Sequence, residues 1–600
     1  MSAVNENAPA TDPVDPPAVR AARSVVDLLL AHGMRDAVVC PGSRSAPLAY
    51  ALADAEAEGR VRLHVRVDER TAGFLALGLC RGAGLDGPPV PVAVVTTSGT
   101  AAANLHPAIL EAHHAGVPVV ALTADRPHEL RGTGANQTTD QVGLFGTAVR
   151  HAVDVPAPEG RDGQDRDLRD VVTRAVVAAT GARTAYPGPV HLNLAFRDPL
   201  APSRLRAAGE GSGSGTDVPV VGRVEPVLAP DVLAHPLLDA GPDEPPTVLV
   251  AGDGAGPHAR RLAEARGWPV LAEASSGASG GSNGIAAHRL VLGVEGLVST
   301  VRRVVVAGRP TLSRPVQALL GRKDVDVVVL APGGAPWPDA ARSAALVLPA
   351  VPARWWEAEP GPAGHLDQWR RAGTAAAVAV ARVLDDDEAL TGVHVARAVA
   401  RATGAGGLLV VGSSNPVRDL DLVLDATPPL VLANRGLAGI DGTVSTATGV
   451  AVAAGRPTTL LAGDLTFLHD AGGLLRGPGE PPLDLRIVVV DDDGGSIFAT
   501  LEHGRLATEG DRAAARFERI FGTPHGADLG TIAAGYGVAV VEIDGRAGTG
   551  PDALDALGSA LARPVHGMQM IHVRVGRDGR RTHGQALAAA VVRACSYVRS

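Results

Sequence analysis

Short apolar runs alternate along most of this chain with longer stretches whose apolar residues recur every three or four positions. AVRAARSVVDLLLAHG predicts a helix from Ala18 to Gly33, and DAVVC predicts a strand stopped by PGSRSAP. RLHVRV leads into ERTAGFLALGLCRGAG, PVAVVTTS into GTAAANLHPAILEAHHAG, and PVVALTAD into a polar loop. HAVDVP, a helix near 167–181 and PVHLNLA close the section. Runs of strand type alternating with helical periodicity predict an α/β domain with a parallel, doubly wound sheet over 18–205.

GEGSGSGTD (209–217) has linker composition. The alternation then restarts. TVLVAGDGAG leads into a helix, GWPVLAEA into a Gly/Ser loop, RRVVVAG into GRPTLSRPVQALL, and DVDVVVLAP follows, so a second α/β domain is expected over 220–355. Residues 351–390 are expected to form a connector. A third domain, 385–600, alternates ALTGVHVARAVARATG, GLLVVGSS, PLVLANRG and STATGVAVAAG with further strands, then ends on MQMIHVRV and QALAAAVVRA. The fold class is therefore three successive doubly wound parallel-sheet domains. Residues 1–17, polar and proline-rich, are expected to be disordered.

In the third domain two apolar runs, Thr458–Ala462 and Ile487–Val490, each end in acid: Gly463-Asp464 after the first and Asp491-Asp492-Asp493-Gly494-Gly495 after the second. Buried parallel strands read as short apolar runs, and ligands of open α/β sheets collect at their carboxyl ends. Asp464 and Asp492, 28 positions apart, suit a hard cation such as Mg²⁺, which takes one or two carboxylates together with phosphate oxygens. Gly494 would let a diphosphate approach the backbone. Either acid alone reads more readily as the cap of a following helix.

Composition narrows the chemistry. A net charge of −9 without a long basic run argues against a nucleic-acid partner. No run of about 18 uncharged apolar residues occurs, and the N-terminus lacks the apolar core of a signal peptide, so a cytoplasmic protein without a membrane span is expected. Three scattered cysteines (Cys40, Cys80, Cys595) fit a reducing compartment. Lys323 is the sole lysine, which excludes a GK[ST] phosphate loop and leaves anions to arginine forks.

Several strings stand out together: CPGSRSAPL (40–48), DERTAGFLALGL (68–79), TSGTAAANLHPAILEA (97–112), LTADRPHELRGTGANQTTDQ (122–141) and NRGLAGIDGTVSTATG (434–449). As a set they resemble one family of thiamine-diphosphate enzymes, the 2-succinyl-5-enolpyruvyl-6-hydroxy-3-cyclohexene-1-carboxylate (SEPHCHC) synthases of menaquinone biosynthesis. The likeness runs from about residue 20 to the C-terminus and is weakest in the middle domain. It implies a pyrimidine-binding first domain, a Rossmann-like middle domain without cofactor, and a diphosphate-binding third domain. It implies thiamine diphosphate and Mg²⁺ (or Mn²⁺) as cofactors, 2-oxoglutarate and isochorismate as substrates, and a homodimer or dimer of dimers. In the family the cofactor is shared between the first domain of one subunit and the third domain of its partner.

Glu69, which by itself reads as an acid complementing a helix dipole, matches the family glutamate that hydrogen-bonds the aminopyrimidine N1′. Asp464, Asp492 and the Gly494 carbonyl match the metal ligands, although an asparagine commonly stands where this chain has Asp492. Ile440 matches the apolar wedge under the cofactor, and Gly463, Gly495 and Ile497 flank its site. Arg44, Arg126, Arg418 and Arg435 match positions for substrate carboxylates. Ser43, Asn136, Gln137, Ser414 and Phe498 lie beside them, and Arg314 falls near a family cation. The resemblance points to Arg418 and Arg435 for 2-oxoglutarate, and to Arg44 and Arg126 for isochorismate.

Two other readings compete. One is a different thiamine-diphosphate carboligase or decarboxylase, of the acetohydroxyacid-synthase type. The other is a dinucleotide-binding protein using Gly252–Gly256, since VLVAGDGAG followed by a helix, with Glu273 after the next strand, imitates a Rossmann fingerprint in which Pro257 takes the place of the third glycine.

Overall fold

The computed structural model describes residues 15–85, 87–205, 218–224, 235–362, 364–546 and 550–596. The linker expected at 209–217 and most of the disordered N-terminus expected at 1–17 lie outside these residues. Asp15 and Pro16 are described, and the first helix starts at Pro17, one residue before the expected Ala18, because proline is favoured in a first helical turn.

The chain divides into two compact units. The first comprises Met1–Arg183, Pro187–Gly222 and Arg476–Pro481; the second comprises Thr184–Tyr186, Arg223–Leu475 and Pro482–Ser600. The first unit holds one six-stranded sheet: β1 (Asp36–Val39), β2 (Arg62–Val65), β3 (Val92–Thr96), β4 (Val119–Asp125), β5 (His151–Val155) and β6 (Val190–Ala195), in the order β2-β1-β3-β4-β6-β5. Every pairing is parallel. The central strands β3, β4 and β6 are buried at every position, as continuous apolar runs require when helices cover both faces.

The second unit holds two such sheets. One contains β7 (Thr247–Ala251), β8 (Val270–Ala272), β9 (Arg303–Ala307), β10 (Asp326–Leu330) and β11 (Ala344–Leu348), in the order β11-β10-β9-β7-β8. The other contains β12 (Leu408–Val411), β13 (Leu430–Leu432), β14 (Thr458–Gly463), β15 (Leu485–Asp491), β16 (Ala539–Asp544) and β17 (Met568–Arg574), in the order β13-β12-β14-β15-β17-β16. The expected α/β class with three parallel sheets is the class observed.

The stretch expected as a connector, 351–390, is largely helical. His365–Asp385 forms a helix of 21 residues. Its Trp369, Ala372, Ala376, Val380 and Leu384 enter one core with Leu587 and Val591 of the helix Arg580–Ser596. The alanine-rich run that resembles a linker by composition is a helix because its apolar residues recur at three- and four-residue spacing.

All three sheets share one topological feature. The strand order reverses between β1 and β3, between β7 and β9, and between β12 and β14. Loops leaving adjacent strands diverge at such a point and open a crevice at the strands' carboxyl ends. The conspicuous strings of the sequence fall there: PGSRS after β1, TSGT after β3, AGDGAG after β7, GSSNP after β12 and GDLTF after β14.

The crevice of the middle sheet is filled by the chain itself. An added Cβ on Gly252 would lie 2.0 Å from the carbonyl carbon of Arg309 and from the nitrogen of Pro310. Asp253 and Arg309 pair as an antiparallel bridge, with N···O distances of 3.1 and 2.9 Å. Gly252 is thus needed for the close approach of a protein strand. This observation weighs against the dinucleotide-binding reading.

Candidate active site

The crevice of the third sheet is open. It forms a cavity of about 500 Å³ lined by the loop after β12, the loop after β14 and the acidic turn after β15. Of the residues singled out in the sequence, Ser414, Ile440, Gly463, Asp464, Asp492, Gly494, Gly495, Ile497 and Phe498 line it. Asn415 and Asp419 line it too, from the helix Asn415–Val423, with Thr391 and Gly392 opposite. These four were not expected. Asn415 lies inside the NPVR string, where only the arginine had drawn notice.

Asp464 begins the helix Asp464–His469 and is 3% exposed. One carboxylate oxygen accepts the Leu465 N–H at 2.6 Å and the other accepts the Gly494 N–H at 2.7 Å, so the acid after β14 is tied to the turn after β15. Asp492 accepts from the Ser496 hydroxyl, which in turn accepts from Asn415 Nδ2 at 2.6 Å. Burial, and after it the charge of Asp492, pushes Asp464 up to about 8. Burial likewise pushes Asp492 up to about 6, against the hydrogen bond from Ser496. A buried and a half-buried carboxyl that both resist ionising form a donor set that a divalent cation would stabilise.

The structure adds a histidine to this picture. Asp464, Asp491 and His525 each present a ligand-type atom within 4.8 Å of the others. His525 Nε2 lies 3.3 Å from Asp464 and 3.8 Å from Asp491. Asp491 stays below the ordinary carboxylate range. Burial opposes its charge most strongly, but the hydrogen bond of 2.7 Å from His572 Nε2, the Asp493 N–H and the His572 charge together outweigh it. His525 arrives from 61 residues beyond Asp464, on a loop with no periodicity to flag it. Gly494 has a φ of 138°, which by itself favours glycine. A Cβ there would lie 1.9 Å from the Gly522 carbonyl oxygen, so the space is taken by protein backbone.

Neither Arg418 nor Arg435 is among the residues that line the cavity. Arg418, on the helix Asn415–Val423, donates to the Ser414 carbonyl at 2.6 Å. Ser414 holds a left-handed φ of 73°, a strained conformation for a serine and one that clusters at ligand sites. Burial, followed by the charge of Arg435, holds the Arg418 guanidinium below its ordinary range. Arg435 is 4% exposed and donates through Nη2 to Thr311 Oγ1 at 2.8 Å. A buried and a half-buried guanidinium that repel each other favour a nearby anion. Arg314 is exposed at the start of the helix Arg314–Leu320, away from the cavity lining.

In the first unit, Glu69 opens the helix Glu69–Ala83, half-buried, behind an Asp68 cap that accepts the Arg70 N–H at 2.8 Å. Arg44 is buried after β1, where it donates to the Phe196 carbonyl at 2.8 Å and pairs with Asp198 at 3.4 Å. Beside it, Ser43 is exposed. Arg126, after β4, donates to the Asn136 carbonyl at 2.9 Å. Gln137 exchanges hydrogen bonds with Ser98 of the loop after β3, at 2.8 and 3.1 Å. Arg126, Asn136 and Gln137 therefore form one polar rim, whereas Arg44 is committed to internal partners.

Comparison with known proteins agrees with both units. The family model for the thiamine pyrophosphate enzyme N-terminal TPP binding domain matches residues 19–144, a span that contains Glu69. A 2-succinyl-5-enolpyruvyl-6-hydroxy-3-cyclohexene-1-carboxylate synthase of Kineococcus radiotolerans is 49% identical over 589 residues, covering 96% of this chain and 99% of that protein. Proteins of the same name from Paenarthrobacter aurescens (47% over 586 residues, 97% and 98% covered) and Mycobacterium avium (44% over 593 residues, 96% and 100% covered) are similar along their whole length.

Proposed function

The chain belongs to the 2-succinyl-5-enolpyruvyl-6-hydroxy-3-cyclohexene-1-carboxylate synthase family, and we propose that it performs that family's reaction. In this reading it decarboxylates 2-oxoglutarate and joins the remaining four-carbon unit to isochorismate, releasing CO₂, as a transferase of menaquinone biosynthesis. Thiamine diphosphate with Mg²⁺, or Mn²⁺ in its place, is the cofactor; when bound, it supplies the carbanion-stabilising chemistry that loss of CO₂ from a 2-keto acid needs. The observation that carries the reading is the buried carboxyl of Asp464, pushed up by burial and by the charge of Asp492, with the half-buried Asp492 facing the same cavity at a topological switch point.

Each group of the chain then has a task. Asp464, Asp492 and the Gly494 carbonyl would hold the metal, with His525 and Asp491 beside them as further donors. Ile440, Gly463, Gly495 and Ile497 would shape the cofactor's seat. Glu69 would hold a proton at the aminopyrimidine N1′, and its place at a helix N-terminus keeps its carboxylate oriented. Arg418 and Arg435, with Ser414 and Phe498 at the cavity, would take the carboxylates of 2-oxoglutarate. Arg126, Asn136 and Gln137 would take isochorismate, with Ser43 and Arg44 beside them. The family resemblance extends this reading to a homodimer or dimer of dimers in the cytoplasm, with Glu69 and the metal ligands of one site drawn from different subunits. No helix among the described residues is long and apolar enough to cross a membrane.

The test is incubation with thiamine diphosphate, Mg²⁺, 2-oxoglutarate and isochorismate, followed by mass detection of the adduct. Glu69→Gln should retain the fold and cofactor binding yet lose about 10²–10⁴-fold in turnover, the scale of a group that manages a proton. A variant keeping more than about a tenth of the wild-type rate would withdraw the role of Glu69. Pyruvate accepted in preference to 2-oxoglutarate, together with a flavin absorption band, would favour the acetohydroxyacid-synthase type instead.

A further inference from the structure

The loop that fills the nucleotide crevice of the middle sheet continues to the candidate substrate arginines. Arg309, whose backbone packs on Gly252, donates through Nη2 to the Arg435 carbonyl at 2.7 Å. Thr311, two residues on, accepts from Arg435 Nη2 at 2.8 Å. Leu312 donates its N–H to Glu273 Oε1 at 2.7 Å. Glu273 directly follows β8 and is 2% exposed, and among the described residues none makes a close hydrogen bond to its second carboxylate oxygen. Burial pushes its carboxyl up to about 7, with the Leu312 and Thr311 N–H groups and the Arg435 charge pulling the other way.

The next residue serves the other arginine. Ala274 donates its N–H to Asp421 at 3.1 Å, and Asp421 shares the helix Asn415–Val423 with Arg418. Arg289, also of the middle sheet's domain, donates to the Arg418 carbonyl at 3.2 Å. The end of β8 thus touches both supports: the 309–312 loop under Arg435 and the helix under Arg418. A buried carboxylate at the end of the second strand of a Rossmann-like unit ordinarily serves a ribose. Here it accepts from the chain's own loop.

We propose that Glu273 is a positioning residue for the keto-acid subsite. Its carboxylate fixes the 309–312 loop, and that loop orients the Arg435 fork toward a substrate carboxylate. The middle domain, having lost its nucleotide crevice, holds the geometry by which a dicarboxylic keto acid is recognised. The inference rests on the reading of Arg418 and Arg435 as the 2-oxoglutarate forks.

Steady-state kinetics for each substrate separately, with thiamine diphosphate affinity and thermal stability alongside, provide the test. Glu273→Ala should raise KM for 2-oxoglutarate about tenfold, well short of the roughly 10²-fold that a 1 Å misplacement can cost, because Arg309 and Thr311 still hold the fork. KM for isochorismate and affinity for thiamine diphosphate should stay within about twofold, since neither ligand meets Arg435. Glu273→Gln retains an oxygen for the Leu312 N–H and should return to within about threefold of wild type.

Thr311→Val, at an exposed position that leaves folding intact, should raise the same constant several-fold. An unchanged KM for 2-oxoglutarate in Glu273→Ala would overturn the inference, as would an equal loss in all three ligands or a Glu273→Gln no better than alanine. Should Glu273→Ala fail to fold, Thr311→Val decides: a several-fold rise supports the inference and an unchanged KM overturns it. Arg435→Ala separates the two levels. If it leaves 2-oxoglutarate unaffected, the site reading falls and the positioning role with it. If it impairs 2-oxoglutarate while Glu273→Ala and Thr311→Val do not, the positioning role alone falls.

Discussion

Replacing Glu480 by alanine should destabilise the first unit far more than its sequence context, a Gly/Pro-rich turn, would suggest. Glu480 lies in the short segment Arg476–Pro481 that belongs to the first unit, although its neighbours in sequence belong to the second. Its carboxylate accepts from the Val65 N–H at 2.9 Å and from Arg66 Nη1 at 2.7 Å, and lies 3.2 Å from His64 Nδ1. His64 Nε2 is 2.9 Å from Asp36 on the other side. The side chains of His64, Arg66, Asp36 and Glu480 are 0%, 3%, 1% and 5% exposed. Removing one partner of a buried ion pair costs roughly 3–5 kcal/mol, because the other charge stays buried without it. For a unit of about 200 residues that is a fall of roughly 6–20 °C in Tm.

The penalty should also depend on pH. Burial works against the charge of Glu480, but the hydrogen bonds from His64 and Arg66 hold it down to about 2. A depressed carboxylate contributes stability that is present above its ordinary value, about 4.5, and is lost as pH falls through about 2. His64 moves the other way. Burial again opposes its charge, but Asp36 and Glu480 raise it above 6.5, so its contribution is whole below 6.5 and is lost as pH rises through the raised value. The network is complete between about pH 4.5 and 6.5, so the cost of Glu480→Ala should be larger at pH 6 than at pH 9.

Calorimetry and hydrogen exchange of the 61–67 peptide are the assays. All five tryptophans lie between 268 and 369, in the second unit, so tryptophan fluorescence serves as an internal control that should not move at the lower transition. A loss under about 1 kcal/mol, the scale of an exposed pair, would refute the reasoning, as would an equal penalty at both pH values.

Arg435→Lys should lower kcat/KM for 2-oxoglutarate at least about tenfold, because a point donor cannot replace a planar fork and charge-assisted hydrogen bonds contribute roughly 1.5–3 kcal/mol each. Thiamine diphosphate affinity, measured by fluorescence quenching, should stay near wild type; an equal loss there would place Arg435 at the cofactor instead. The cofactor-free protein should lose stability as pH rises from about 4 through about 6 and about 8, since raised carboxylates contribute stability only while protonated. Mg²⁺ with thiamine diphosphate should therefore raise the Tm followed by tryptophan fluorescence more at pH 8.5 than at pH 5.5, and Asp464→Asn should flatten that difference. A gain independent of pH would remove these acids from the metal site.

The alternation of apolar runs with helical periodicity was enough to place three parallel α/β sheets, because strands buried on both faces must be continuously apolar. The edge strands β11 and β16 were harder to see. Both are largely half-buried or exposed: β16 (AVVEID) is broken by two acids, and β11 (AALVL) is a short apolar run without a polar boundary on its C-terminal side. That the expected connector contains the long helix His365–Asp385 was not legible, since alanine and arginine carry little apolar contrast until Trp369 and its neighbours meet the helix Arg580–Ser596. The motif strings at the sheet reversals were likewise legible, and Asp464 and Asp492 stood out as acids after two apolar runs, which the structure brings to one cavity.

Other features were decided only by the tertiary structure. His525 joins Asp464 from a distant loop, and Glu480 reaches β2 across more than 400 residues. Glycines at 252 and 494 turn out to serve close approach of protein backbone, which no local pattern distinguishes from approach of a phosphate. Glu273, read from the sequence as the acid of a nucleotide fingerprint, instead holds the loop beside Arg435. The physical reason is common to all of them. Periodicity and turn chemistry record what a residue needs from its neighbours in sequence, whereas a buried charge is defined by the partner that folding brings to it.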